Sequence, residues 1–391
     1  MFWKYTLFEL KFMLYNRKPL IIGIGLIMFF IFYFVHLSQT TPETIKQQKT
    51  QEVDIYNSTL DQMDYQQKDN EKAEQVYQSL LDQLSMVRYQ GFYYGENQHD
   101  DYIETGLKVN EERLNVHELG NEGVPEYLIF PKEEILKENE YLTYLQEHNL
   151  PVEENSYQAN QYLETAVNTL SGLLFAFILL LSGNEILVYE NRHPSVMRGL
   201  PISFLKKSIS KISVHFTYII VSLVLGIVLS GWYAAHKLGA GNFKSPIVIY
   251  QNGGYEAIST THYLLLIVLG FALITIWILA LSVLMNLLFQ NAFANLVVGL
   301  SIFLIPSLMM AIDVNTAIFH PFALIDIASV LSGSLAVELQ NPAIDYGYAI
   351  TWLIVLIIVT MLIVIAKIKL EFYDVKAIFR SIFHQKSMKK E

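Results

Sequence analysis

The chain has 391 residues, 52% of them hydrophobic and 16% charged, and its apolar residues gather in runs near twenty long, enough to cross ~30 Å of hydrocarbon at ~1.5 Å per residue. That distribution excludes an ordinary soluble domain. The absence of cysteine excludes disulfides, thiolate metal sites and cysteine nucleophiles, and the net charge of −10 hides a division: residues 38–163 hold 9 Lys and Arg against 25 Asp and Glu, while the rest of the chain is net basic.

In chain order the sequence predicts an all-α polytopic membrane protein: six transmembrane helices, plus a mainly helical extracellular domain between helices 1 and 2. Residues 1–18 mix apolar and basic side chains. Phe8, Phe12 and Tyr15 share one helical face with Leu7, Lys11 and Leu14 beside them, as in a helix lying on the cytoplasmic membrane surface or in a basic anchor. The first span is 19–37, with Pro19 suited to a first helical turn. Residues 38–163 form the acidic extracellular domain. Within it, Tyr56–Arg88 reads as helix, because Val76, Leu80, Leu84 and Val87 recur on one face. Gly91–Pro131, richer in Gly, Tyr and turn residues, leaves room for short strands, and Lys132–Leu145 returns to a helical pattern.

The second span is 166–189, followed by a basic cytoplasmic loop at 190–211 in which Lys206 and Lys207 read as exposed charges. The third span is 212–233, then an extracellular loop at 234–262 with four glycines. The fourth and fifth spans are 263–289 and 296–312, the fifth kinked at Pro306. Residues 313–346 form an extracellular or re-entrant segment, 347–366 the sixth span, and 367–391 a basic cytoplasmic tail. Four basic residues precede span one, five lie between spans two and three, and seven follow span six. The positive-inside rule therefore puts both termini in the cytoplasm of a cell membrane, on compositional grounds a bacterial one.

Catalytic motifs are missing. GAGNFKS at Gly239–Ser245 lacks the second glycine of a phosphate loop, and HELGN at His117–Asn121 has Asn where a zinc helix needs its second His. Glu185 and His215 are the ionisable candidates within spans, both near cytoplasmic ends. Asn184 and Glu185 read more readily as a helix emerging into headgroups than as a cavity wall. Small residues Ser171, Gly172 and Ala176 on span two, and Gly226 and Ser230 on span three, suit close helix packing.

The loop after span two carries a carboxylate and an Arg, then Gly, Pro-Ile-Ser and Lys: Glu190, Arg192, Arg198, Gly199, Pro201, Ile202, Ser203, Lys207 and Lys211. This pattern, with FELKFMLYNRKPLII at Phe8–Ile22, resembles the permease (transmembrane) subunits of the type-2 ABC exporter family. The likeness covers most of the chain as topology and two short motifs as residues. The large acidic insertion between spans one and two departs from the family's compact members. The resemblance implies that Glu190–Lys211 forms a coupling helix docked on a cytoplasmic ATP-binding-cassette ATPase subunit. Glu190, Arg192, Met197, Arg198, Gly199, Leu200 and Pro201 would make the contact. It also implies a second permease copy or a related permease as partner, and an amphipathic substrate: a peptide, a lipid-linked molecule or a hydrophobic toxin. ATP and Mg would sit on the partner ATPase, so no cofactor, metal or catalytic residue is expected on this chain, which is not an enzyme by itself. Membrane lipid surrounds it and no nucleic acid is implied. The alternative is a non-transporting receptor or immunity protein whose extracellular domain binds a peptide or partner.

Overall fold

A computed structural model describes residues 2–63, 71–188, 190, 202–310, 312 and 320–387. The chain is mostly helical and divides into two compact units. Unit 1 comprises Met1–Phe32, Ala166–Ser230 and Leu266–Glu391; unit 2 comprises Tyr33–Thr165 and Gly231–Leu265.

Among the described residues four helices are long and apolar enough to cross a membrane: α2 (Arg17–Leu37), α9 (Phe204–Leu238), α10 (Thr260–Phe289) and α15 (Tyr346–Ser387), the last over Tyr346–Leu370. The count reaches five if α7 (Ala159–Leu170) and α8 (Leu173–Gly183), bent by 62° at their junction, are one span. This fits an all-α membrane protein. Helix α11 (Ala292–Met310) carries a shorter apolar stretch, Ala292–Pro306.

The bend corrects the unbroken second span expected from hydropathy. Gly172 has φ +73° and ψ −134°, a conformation that suits glycine and interrupts a right-handed helix. Its neighbour Ser171 accepts a hydrogen bond through Oγ from the amide of Ala328 (3.1 Å). The Asp326 carboxylate would lie 3.1 Å from a Cβ at Gly172. These small residues therefore shape a turn under the 320–339 segment, where the sequence suggested a helix-packing stripe. Gly226 does meet a neighbouring helix: a Cβ there would stand 2.7 Å from the ring of Phe30 in α2.

In unit 1 the core joins Ile186 and Leu187, Ile212 of α9, Leu279–Leu284 of α10 and Val364 of α15. Three short helices, α12 (His320–Ala323), α13 (Ile327–Leu331) and α14 (Ser334–Glu338), precede α15.

Unit 2 is built on α3 (Ile45–Gln62), α4 (Glu71–Gly95), α5 (His99–Glu118) and α6 (Lys132–His148). The continuous helix expected over Tyr56–Arg88 is two helices, since α3 ends at Met63 in extended backbone (ψ 125°). Val76, Leu80, Leu84 and Val87 are buried as their spacing predicted, packed with Tyr56, Val109 and Val116. No strand forms in 91–131, where α4 and α5 occupy the sequence. Instead, β1 (Pro246–Gln251) and β2 (Gly254–Ser259) pair antiparallel inside the expected 234–262 loop. Asn252 (φ 53°) and Gly253 (φ 80°) make the two-residue turn, the residue pair that matches the strands' right-handed twist. This hairpin is the one β element among the described residues.

A buried ionic network ties α3, α5 and α6. Arg113 pairs with Glu52 and, at 2.8 Å, with Glu138. It also donates to Tyr56 Oη (2.9 Å) and Asn110 Oδ1 (3.1 Å) and stacks on Phe130. Lys49 reaches Glu52 (2.9 Å) and Glu138 (3.4 Å). His117 Nε2 donates to the Phe130 carbonyl, and its Nδ1 accepts from Asn121 Nδ2, so both ring nitrogens are used in holding this loop.

Candidate functional site

The candidate site is the junction in unit 1 at the two ends of the expected 190–211 loop, of which Phe204–Lys211 is not loop but the first turns of α9. Helix α1 (Phe2–Tyr15) has two apolar-rich faces. Tyr5, Glu9 and Met13, spaced i, i+4 and i+8, are buried, whereas Trp3, Leu7, Phe8, Leu14 and Tyr15 are exposed. The face named from the sequence, Phe8 with Leu7 and Leu14, thus belongs to the side free of protein. The inward side includes a carboxylate.

That carboxylate, Glu9, pairs with Lys211, and the same ammonium reaches Glu190. Lys211 Nζ lies 3.1 Å from Glu9 Oε2 and 3.7 Å from Glu190 Oε1, and Tyr5 Oη donates to Glu190 Oε1 at 3.2 Å. Beside them Ser210 Oγ donates to Thr6 Oγ1 (2.9 Å). The three charged side chains are only 5–7% exposed, so one ammonium serves two buried carboxylates. Burial, reinforced by Glu9 and Glu190, pushes the Tyr5 phenol well above its ordinary range, which keeps it a hydrogen-bond donor.

A cavity of about 230 Å³ opens next to this triad, lined among others by Glu9, Lys18, Ser182, Glu185, Lys211 and His215. Lys18 Nζ bonds Asn184 Oδ1 (2.6 Å) and pairs with Glu185 (3.1 Å). Ser182 Oγ lies 3.0 Å from His215 Nδ1. Asn184 is buried and also donates to the Ala292 carbonyl (3.4 Å). Of the two residues read as a helix emerging into headgroups, Glu185 lines the cavity, and Asn184 is buried beside it.

The end of α8 is held by side-chain amides. Asn286 Nδ2 donates to the Gly183 carbonyl (3.3 Å) and Asn295 Nδ2 to the Asn184 carbonyl (3.0 Å). Both acceptors belong to the last helical turn, whose carbonyls have no partner within the helix. A Cβ at Gly183 would fall 2.4 Å from Ser282 Oγ, so α8 and α10 approach closely there.

Of the contact residues named from the sequence, Glu190 sits in the triad. Arg192, Met197, Arg198, Gly199, Leu200 and Pro201 lie outside the described residues. Lys207 is buried and engaged, contrary to its reading as an exposed charge, whereas Lys206 is exposed. Tyr5, Glu9, Asn286 and Asn295 were not singled out in the sequence. The available signal was a lone carboxylate at Glu9 among apolar and basic residues. Among the described residues no group of three or more His, Asp or Glu side chains is placed to hold a metal ion. Compared with family models, curated proteins and solved structures, the chain matches none.

Proposed function

We propose that the chain is the transmembrane permease subunit of an ATP-binding-cassette exporter, powered by separate ATPase subunits. On this reading it spans the cell membrane six times, with both ends in the cytoplasm and residues 38–163 outside. The six are α2, the bent α7–α8 pair, α9, α10, the short α11 and α15. It pairs with a second permease copy or a related permease and moves an amphipathic substrate outward.

The observation that carries the reading is the Glu9–Lys211–Glu190 triad. A loop that couples to an ATPase must pass displacement into the membrane, and here Glu190 at the loop's beginning is tied by buried charge to Lys211 of α9, which in turn pairs with Glu9 of α1. The loop's resemblance to exporter permeases supports the same role. Replacing Met197 and Arg198 together by Asp tests it. The variant is expected to insert, keep its melting midpoint, and lose both its ATPase partner on purification and substrate-stimulated ATP hydrolysis. Full partner binding and hydrolysis would remove the proposal's main support. One observation favours a receptor or immunity protein as second reading: unit 2 holds a cavity of its own.

A further inference from the structure

Helix α4 buries Val76, Leu80, Leu84 and Val87 in the core of unit 2 and leaves a second stripe outside. Leu81, Asp82, Ser85, Arg88, Tyr89 and Phe92 are all exposed, and their spacing of three and four residues puts them on one face. Leu81 is 36% exposed, Tyr89 58% and Phe92 57%. Tyr93 stacks on Tyr89 (6.2 Å between centroids) and meets Phe92 edge-on (5.9 Å). The two outer rings are therefore held against a third and lose little freedom when covered. Large apolar side chains gathered in this way on a strongly charged unit mark a contact surface.

The charges of this stripe are arranged about its middle. Asp82 lies three residues before Ser85 and Arg88 three after; Leu81 lies four before and Tyr89 four after. Among the described residues neither Asp82 nor Arg88 is in an ion pair, and Arg88 donates a long hydrogen bond to Asn57 Oδ1 (3.4 Å). When a second α4 crosses this face antiparallel with the two Ser85 residues opposed, each Asp82 meets the Arg88 of the other helix and each Leu81 meets a Tyr89. A parallel crossing instead sets Asp82 against Asp82 and Arg88 against Arg88, which is repulsive. Ser85 at the crossing point is small, and the side chains at the contact set how closely two helices approach. Its hydroxyl already donates to the Asp82 carbonyl (2.8 Å), so covering it strands no donor.

We infer that the outer face of α4 is the surface through which unit 2 meets a second copy of this chain, about a two-fold axis at Ser85. A two-fold contact uses the same patch on both copies and must be complementary to itself, and the order of acid, small residue and base along this stripe satisfies that condition. The unit as a whole is acidic, with 25 Asp and Glu against 9 Lys and Arg over residues 38–163. Two copies therefore repel at a distance, and local pairing of unlike charges is what draws this face to its like. One helix face is small beside the ~1,600 Å² of a standard interface, so the contact is weak by itself and is best captured by a crosslink. It does not rest on the exporter reading, which calls for a second permease but not for any contact between outer domains.

The chain has no cysteine, so single substitutions report directly. The full-length chain is purified without other proteins in detergent micelles at about 0.15 M salt, where charges are screened beyond ~8 Å. On mild oxidation Ser85→Cys is expected to give a covalent dimer in at least half of the molecules. Asp101→Cys, at an exposed position of α5, should give less than a fifth of that yield. Adding Arg88→Asp to Ser85→Cys should cut the yield at least fivefold. Adding Asp82→Arg as well should restore it, because the ion pairs return with their senses exchanged. These positions are exposed, so the melting midpoint should not move. Equal yields at positions 85 and 101, a yield indifferent to Arg88→Asp, or a double reversal that stays low would overturn the contact. So would a Ser85→Cys chain in cell membranes that is shielded from an impermeant thiol reagent yet forms no dimer, which would assign the face to another protein.

Discussion

Lys211→Met is the most direct test of the junction in unit 1. Met keeps much of the aliphatic stem and removes only the ammonium. The structure then leaves Glu9 and Glu190 facing the same site, both 6–7% exposed, with Tyr5 as the remaining donor to Glu190 among the described residues. Removing one member of a buried ion pair costs about 3–5 kcal/mol. Here one cation serves two carboxylates, one of which, Glu9, already has an oxygen without a hydrogen bond, so the upper part of that range is expected. Equilibrium unfolding in mixed micelles, followed by tryptophan fluorescence, measures it. Lys206→Met, at an exposed position, should stay within about 0.5 kcal/mol of wild type. Adding Glu9→Gln to Lys211→Met should recover at least half the loss, because it removes the charge that was left unpaired. If Lys211→Met matches Lys206→Met, or the double variant is worse by the full sum of the singles, the triad does not act as a buried ion cluster.

Two further outcomes follow from the fold. Burial alone would raise the Glu138 carboxyl, but Lys49 and Arg113 outweigh it and hold the group below its ordinary value. Its contribution is therefore complete above the unfolded carboxyl pKa of about 4.3, and is lost as pH falls through the lower folded value. Glu138→Gln should lower the melting midpoint at neutral pH and flatten its fall below about pH 4; an unchanged acid slope would mean that Glu138 is not held charged. Gly172→Ala should cost about 1–3 kcal/mol because its backbone conformation suits glycine, with Asp326 close by. Gly25→Ala, whose added methyl meets nothing within 4 Å, should cost nothing by the same unfolding assay.

What could be read from the sequence was set by how local the physics is. The apolar runs foretold the long helices because hydropathy sums over neighbours. The Val76–Leu80–Leu84–Val87 face foretold the inward side of α4 for the same reason. The hairpin was also local and was passed over: Asn252-Gly253 between Ile247–Tyr250 and Tyr255–Ile258 is a strong turn signal, masked by the other glycines of the segment. The bend at Gly172 lay within an apolar run, and summed hydropathy does not register backbone dihedrals. The triad was beyond any local pattern, since Tyr5 and Glu190 are 185 residues apart and only the packing of α1 against α9 brings them together. The motif identified Glu190 and Lys211 as parts of a loop but gave no sign that they are buried or that Glu9 answers them.

The buried polar contacts bear on what α1 does. An anchoring helix needs one apolar face toward lipid, and on the proposed reading the exposed Trp3, Leu7, Phe8 and Leu14 would supply it. It has no need of a buried carboxylate, whose desolvation costs several kcal/mol before any partner is found. Glu9 stands where that cost is offset only if Lys211 stays in place, which makes the position of α1 conditional on the first turns of α9. Tyr5 places the same condition on the beginning of the loop through Glu190. At the other side of the junction Asn286 and Asn295 fix the last turn of α8 to α10 and α11 through directional bonds, which tolerate less sliding than apolar packing. On the proposed reading, a displacement of the 190–211 loop would therefore be resisted at α8. It would reach α1 and α9 by charge, so that α1 moves with the loop while its aromatic face slides along the membrane surface.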